Sequence, residues 1–244
     1  MQHWVNMVEL NCSPSREAEF HEWYNTIHIP DRMKTPGFNG ARRYEAREAR
    51  DGRGQYLAIY NLQSDDIEQT WSRVLADRAQ EEKIGHSSST RDNLVVPFWR
   101  DVLWQQTSER IADDYRKNDS MQHWVKLVEV HCTPSREAEF NDWYDNIHAP
   151  DVLKTPGYTG ARRYVNKEAR DGRGKYLAIY HIDSNDIAET MKTRRAVREI
   201  EHKQGRSSDS RDDLTIKVWR NVLYREIFGL VNPGKSRANS PFVD

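Results

Sequence analysis

The chain has 244 residues, with 37 lysines and arginines against 38 acidic residues, a formal net charge of −1, 36% hydrophobic and 10% aromatic content, and eight tryptophans. That content supports a packed core. The balanced charge, without long basic runs, leaves nothing to neutralise a string of phosphates and argues against nucleic acid as a partner. No apolar run approaches the roughly 20 residues of a membrane span, and the start lacks the basic-then-apolar pattern of a signal peptide, so no membrane contact and a cytoplasmic location are expected.

One unit is written twice. The stretch from Glu19 to Asp31 returns from Glu139 to Asp151, and the same offset carries Met1-Gln2-His3-Trp4-Val5 onto Met121-Gln122-His123-Trp124-Val125. Two copies are too few for a solenoid, so a closed pair is expected. Cys12 and Cys132 are repeat equivalents. They are too few for a cysteine zinc site and read as buried structural thiols.

Residues 3 to 12 have the length, Val and aromatic content of a strand, stopped by Ser13-Pro14-Ser15. Ser15 is the expected cap of a helix with acidic Glu17 and Glu19 in its first turn. Phe20, Tyr24 and His28 then share one stripe beside Trp23 and Ile27, and Pro30 is expected to end the helix. Asp31 suits the cap of a further short turn before Thr35-Pro36-Gly37 changes direction. A strand at 41 to 47, a turn at 51 to 54 and a strand at 55 to 62 read as a hairpin. Ser64-Asp65-Asp66 caps a second helix, and 94 to 104 is the last strand. The order β-α-β-β-α-β is the ferredoxin-like arrangement, an antiparallel sheet with both helices on one face.

The run Phe20-x-x-Trp23-Tyr24-x-x-x-His28-x-Pro30-Asp31, then Thr35-Pro36-Gly37-Phe38 and Ala41-Arg42-Arg43-Tyr44, resembles the EthD-like branch of the dimeric α+β barrel superfamily, in both repeats and nearly end to end. The resemblance implies an α+β fold of two tandem ferredoxin-like βαββαβ units forming an intramolecular dimeric α+β barrel, with a pocket in each half between sheet and first helix. The expected boundaries are a first unit at 1–104, a linker at 105–120, a second unit at 121–224 and a tail at 225–244. Relatives in that superfamily include lactone isomerases, polyketide cyclases, decarboxylases or dehydratases, cofactor-free oxygenases, haem-binding proteins and members with no known reaction.

His28 and His148 are the leading catalytic candidates. A histidine at a helix C-terminus titrates near neutral pH, and the carbonyl end of the helix favours its imidazolium form. In the resembled family this histidine is often assigned a catalytic role; the structural alternative is a ring that caps the last helical carbonyls. Tyr24 and Tyr144, one turn earlier, are placed to hydrogen-bond a substrate carbonyl or to fill the core. Asp31 and Asp151 either orient the histidines or cap the next turn. Strand parity puts Leu57 and Ile59 toward the helices, leaving Tyr60, Trp99 and their equivalents Tyr180 and Trp219 on the barrel side as aromatic walls for a flat ligand. Of each arginine pair one looks inward, taken as Arg43 and Arg163, to hold a carboxylate or enolate. Glu9 and Glu129 enter the pocket or pair with an arginine.

The expected function is a cofactor-independent enzyme, a lyase, decarboxylase, cyclase or isomerase, moving a proton on an aromatic, polyketide-like or lactone substrate. The alternatives are a non-catalytic binding protein, and a haem-using or oxygen-using member. No nucleotide, flavin or metal motif stands in the sequence, so no cofactor is expected. The partners expected are a small apolar molecule and further copies of the chain. Differences between copies, His21 to Asn141, His86 to Arg206, Asn11 to His131, Asn61 to His181 and Trp71 to Met191, point to inequivalent halves.

Overall fold

The computed structural model describes residues 1–48, 54–91, 94–166, 174–211 and 214–231. The first half runs β1 (Gln2–Cys12), α1 (Glu17–Trp23), a π-helical turn (Tyr24–His28), α2 (Ile29–Arg32), β2 (Phe38–Ala46), β3 (Tyr56–Ser64), α3 (Ile67–Lys83) and β4 (Val95–Ile111). The second repeats the order with β5 (His123–Cys132), α4 (Glu137–Trp143), a π-helical turn (Tyr144–His148), α5 (Ala149–Leu153), β6 (Tyr158–Val165), β7 (Tyr176–Asp183), α6 (Ile187–Lys203) and β8 (Thr215–Val231). This is the mixed α+β class expected from the repeat.

Two compact units result. One holds Met1–Leu103 and, of the described residues, those from Glu226 onward; the other holds Trp104–Arg225. Strand order is β4-β1-β3-β2-β8 in the first unit and β8-β5-β7-β6-β4 in the second. The expected linker is therefore partly strand, since β4 continues through residues 105–111, where Gln105 to Ile111 pair with Val165 to Gly160 of β6. Likewise β8 runs on to Val231, past the expected start of the tail.

The helices sit where their apolar residues demand. Phe20, Trp23 and Tyr24 pack with Trp4, Val8, Tyr56, Ala58, Tyr60, Leu62 and Val74 in one core, and the equivalent residues from Phe140 to Leu214 form the core of the second unit. Burying each aromatic ring contributes about 1.5–3 kcal/mol. Asp66 and Asp186 cap α3 and α6, accepting from the Gln69 and Glu189 amides. Ser15 caps nothing: it lies in a 3-10 turn, and no side chain caps α1.

Pro30 does not end the helix. Ile29 keeps helical angles of φ −64° and ψ −49°, and α2 follows with proline in its first turn. The π turn just before it widens the hydrogen-bond ladder by one residue, where a missing amide and a bulky ring are tolerated. Gly37 and Gly157 turn the chain afterwards with φ of +103° and +92°. A Cβ on Gly37 would stand 3.2 Å from the Gln63 carbonyl oxygen. Gly37→Ala is expected to cost about 1–3 kcal/mol, read as a lower urea midpoint at unchanged m-value.

Candidate active site

The face of the sheet that meets the helices is set by cross-strand pairing. Asn6 pairs with Tyr60 and Val8 with Ala58 in β1 and β3, and Arg43 pairs with Ala58 from β2. These residues share one face with the helix core. Tyr60, expected on the far side, is on the helix side: its hydroxyl donates to the Tyr24 hydroxyl at 3.1 Å. Tyr180 donates to Tyr144 in the same way at 3.0 Å. Leu57 and Ile59 instead share the other face with Glu9 and Met7. Glu9 and Glu129 are buried on that other face, away from the histidines. Glu129 accepts the Gly174 amide at 2.7 Å there. A Cβ on Gly174 would lie 2.6 Å from the Glu129 Cγ, which explains glycine at that point. The side chains of Trp99 and Trp219 and the turn at 51–53 lie outside the described residues.

His28 lies between the helix and this aromatic face. Its ring centroid is 4.9 Å from Trp23, 4.8 Å from Tyr24 and 6.4 Å from Tyr60. His148 repeats the contacts with Trp143 and Tyr144, both at 4.8 Å. The π turn, whose ladder runs to the fifth residue, brings His28 over the ring of Trp23, five positions earlier. Each residue is half-buried, yet each Nδ1 is sealed from solvent and has no hydrogen-bond partner among the described residues.

The expected imidazolium is corrected to a neutral ring. Burial, then Arg32, Arg78 and Arg43, push His28 down to about 3; burial, then Arg194 and Arg198, do the same to His148. The helix-end dipole loses because the ring turns into the core, and desolvation outweighs a surface dipole term. The unfolded chain takes up protons near the ordinary value of 6.5 that these folded rings refuse. Their contribution to stability is thus intact above 6.5 and lost as pH falls toward 3. Urea midpoints measured down that range should fall less steeply in His28→Ala/His148→Ala than in the parent.

Asp31 and Asp151 neither cap a helix nor orient the histidines. Asp31 binds His86 Nδ1 at 2.5 Å and Lys34 at 2.6 Å. Asp151 takes Arg206 in a fork at 2.8 and 2.7 Å, and Lys154 at 2.8 Å. Trp23 and Trp143 donate to the backbone carbonyls of the same two residues, His86 and Arg206. The aspartates hold the loop after the second helix against α2 and α5, and the substitution of His86 by Arg206 conserves that clamp.

Arg43 and Arg163 are buried at 1% and 2% exposure and reach the stripe from the sheet. Each guanidinium lies 4.3 Å over the ring of Tyr24 or Tyr144. Arg43 donates to Asn25 at 2.7 Å and contacts His21 Nδ1 at 3.0 Å. Arg163 meets Asn141 at 2.8 Å and Asp145 at 2.9 Å. Arg42 and Arg162 occupy the opposite face, bound to Glu226 and Glu109. Burial pushes the Tyr24 and Tyr144 hydroxyls up, so both are neutral. Because Tyr60 and Tyr180 donate to them, the protons of Tyr24 and Tyr144 stay uncommitted.

A family model described as a domain of unknown function (DUF4286) matches residues 4–88. No curated protein matches the sequence. Among solved structures, an anthrone oxidase-like protein is similar with a TM-score of 0.62 at 12% identity, covering 94% of this chain and 93% of its own. A candidate monooxygenase from Fusobacterium nucleatum subsp. nucleatum gives 0.62 at 10% identity, covering 94% of each. Chlorite dismutase from Candidatus Nitrospira defluvii, in complex with imidazole, gives 0.52 at 8% identity over 92% and 90%. The chain shares the α+β barrel fold of these structures.

Within this α+β barrel fold the histidine, the paired tyrosines and the arginine assemble twice, once in each unit. Sequence reasoning missed Asn25 and Asp145, one repeat position at which the copies differ. Among the described residues no group of three or more His, Cys, Asp and Glu stands ready to hold a metal. No described helix is long and apolar enough to cross a membrane.

Proposed function

We propose that the chain is a small-molecule enzyme that begins with proton transfer, on an aromatic, polyketide-like or lactone carbonyl compound, as an EthD-like member of its superfamily. The observation that carries this reading is a neutral imidazole on a half-buried residue, beside a tyrosine whose hydroxyl proton is uncommitted, repeated in both units. The imidazole takes a proton from carbon next to the carbonyl, the C–H electron pair forms the enolate C=C bond as the C=O π pair moves to oxygen, and the Tyr24 or Tyr144 hydroxyl donates to that oxygen. The guanidinium stacked on the tyrosine ring favours the developing negative charge. Elimination, decarboxylation, cyclisation or isomerisation then follows from the enolate.

The similarity to an anthrone oxidase-like protein and a candidate monooxygenase favours a second outcome, capture of the same carbanion by dioxygen. Iron held by histidine fits less well. Ligation through Nε2 would place the ring proton on Nδ1, and a ligating histidine normally donates that proton to an acceptor, which His28 and His148 both lack among the described residues.

Deuterium wash-in tests the first step whatever follows it. Hydroxyaromatic ketones and lactones incubated in heavy water should exchange the acidic C–H with the parent protein and not with His28→Ala/His148→Ala. Equal exchange by both, or binding with neither exchange nor turnover, would leave only a binding protein. Oxygen uptake in the same cell separates the oxidative outcome from the others.

A further inference from the structure

The two sites differ in charge at one strand pair. In the first unit Asn6, the cross-strand neighbour of Tyr60, donates to Asp101 at 2.6 Å, and Arg78 from α3 holds the other oxygen of that carboxylate at 3.0 Å. The second unit has Lys126 in place of Asn6, Asn221 in place of Asp101 and Arg198 in place of Arg78. One negative charge is gone and one positive charge is added. Val74 of α3 also becomes Arg194, whose guanidinium is taken by Glu201 at 2.7 and 2.8 Å. Glu201 is thus already committed.

Lys126 is half-buried, cross-strand from Tyr180 on the face that carries Tyr144 and His148. Among the described residues neither an ion pair nor a hydrogen bond holds its ammonium. The groups around it are Arg194, Arg195 and Arg198 from α6 and Tyr180 from β7, whose hydroxyl in turn reaches Tyr144; across β8 the facing residue is Leu223. Burial and those arginines push its ammonium down to about 8. A partly desolvated cation without a counter-ion is costly unless something pairs with it. The arginine at the far end of the stack runs the other way, since Arg163 has Asp145 and Arg43 has Asn25. Both guanidiniums are sealed under rings, however, and Lys126 is the one that reaches solvent.

We propose that the site of the second unit holds the carboxylate of an aromatic acid, with the Lys126 ammonium as its counter-ion, and that the first unit's site, with Asn6 and Asp101 there, does not. This deepens the reading of a small-molecule site and rests on it. An anion docked there would also draw the neighbouring imidazole back toward its ordinary titration range, making His148 the stronger base when substrate is bound.

Calorimetric titration of 2-naphthoate against its methyl ester, at pH 7 and about 9.5, reads the effect directly. The parent should bind one acid per chain about tenfold more tightly than the ester, the equivalent of ~1.4 kcal/mol, and the preference should shrink at the higher pH as the ammonium deprotonates. Lys126→Asn should erase it and Lys126→Arg should keep it. Equal binding of acid and ester, binding of neither, two equivalent acids per chain, or a preference that survives Lys126→Asn would each overturn the proposal. A second measurement needs no variant. In competitive acetylation at pH about 8, Lys126 should label ahead of the exposed Lys154 and Lys192, and naphthoate should protect it. Uniform labelling without protection would count against the proposal. His28→Ala/His148→Ala should abolish exchange chemistry and keep the acid preference, so failure of the proton-transfer reading and failure of this one are told apart.

Discussion

Converting both His28 and His148 to alanine is expected to lower kcat by about 100- to 10,000-fold, the usual contribution of a positioned general base. Loss of the fold should not account for it. Each ring leaves a sealed Nδ1 without a partner, at a cost of roughly 1–3 kcal/mol that alanine removes, against the stacking on Trp23 or Trp143 that it gives up. The two effects are of similar size, so urea midpoints at neutral pH should change little while turnover collapses. The single variants should be unequal. Arg194 and Arg198 bear on both His148 and Lys126, so an anionic substrate restores basicity to His148 more than to His28, and His148→Ala should carry the larger loss. Equal losses from the two single variants would count against inequivalent halves.

The fold was legible because its signals repeat at a fixed offset and are local. The Phe20 to His28 stripe, the Asp66 cap and the Thr35-Pro36-Gly37 turn each rest on a few neighbouring residues. What sequence reasoning inverted was strand parity. Tyr56-Leu57-Ala58-Ile59-Tyr60 is buried on both faces, and a strand without a polar face carries no alternation to say which side meets the helices. The end of the first helix was misread because a proline usually stops a helix, and nothing local announces the π turn that absorbs it. The protonation state of His28 was beyond reach for a different reason: the dipole that favours the cation is local, whereas Arg32, Arg43 and Arg78, which oppose it along with burial, converge from three separate elements. Asp31 was misassigned on the same grounds, its partner His86 lying 55 positions away in the chain.

Removing the Glu201 carboxylate should damage the stability of the second unit severely. Arg194 and Glu201 have side chains only 9% and 6% exposed, joined by two charge-assisted hydrogen bonds at 2.7 and 2.8 Å. Glu201→Ala strands a buried guanidinium and should cost about 3–5 kcal/mol, read from urea denaturation. Replacing the pair together by Arg194→Met/Glu201→Leu, which removes both charges and keeps the volume, should cost far less. The corresponding change in the first unit, Glu81→Ala, should be milder. There Arg32 reaches Glu81 by a single contact at 3.3 Å, and burial already lifts the Glu81 carboxyl above its ordinary range, so less favourable pairing is lost. The loss in Glu201→Ala should also depend on pH. With Arg194 no longer neutralised, its repulsion of the Lys126 ammonium falls entirely on the folded state. The penalty should therefore be greater at pH 7 than at about 9.5, where a lysine titrating near 8 is mostly neutral. A penalty that does not change with pH would place Lys126 too far from Arg194 for the two to share a ligand's charge.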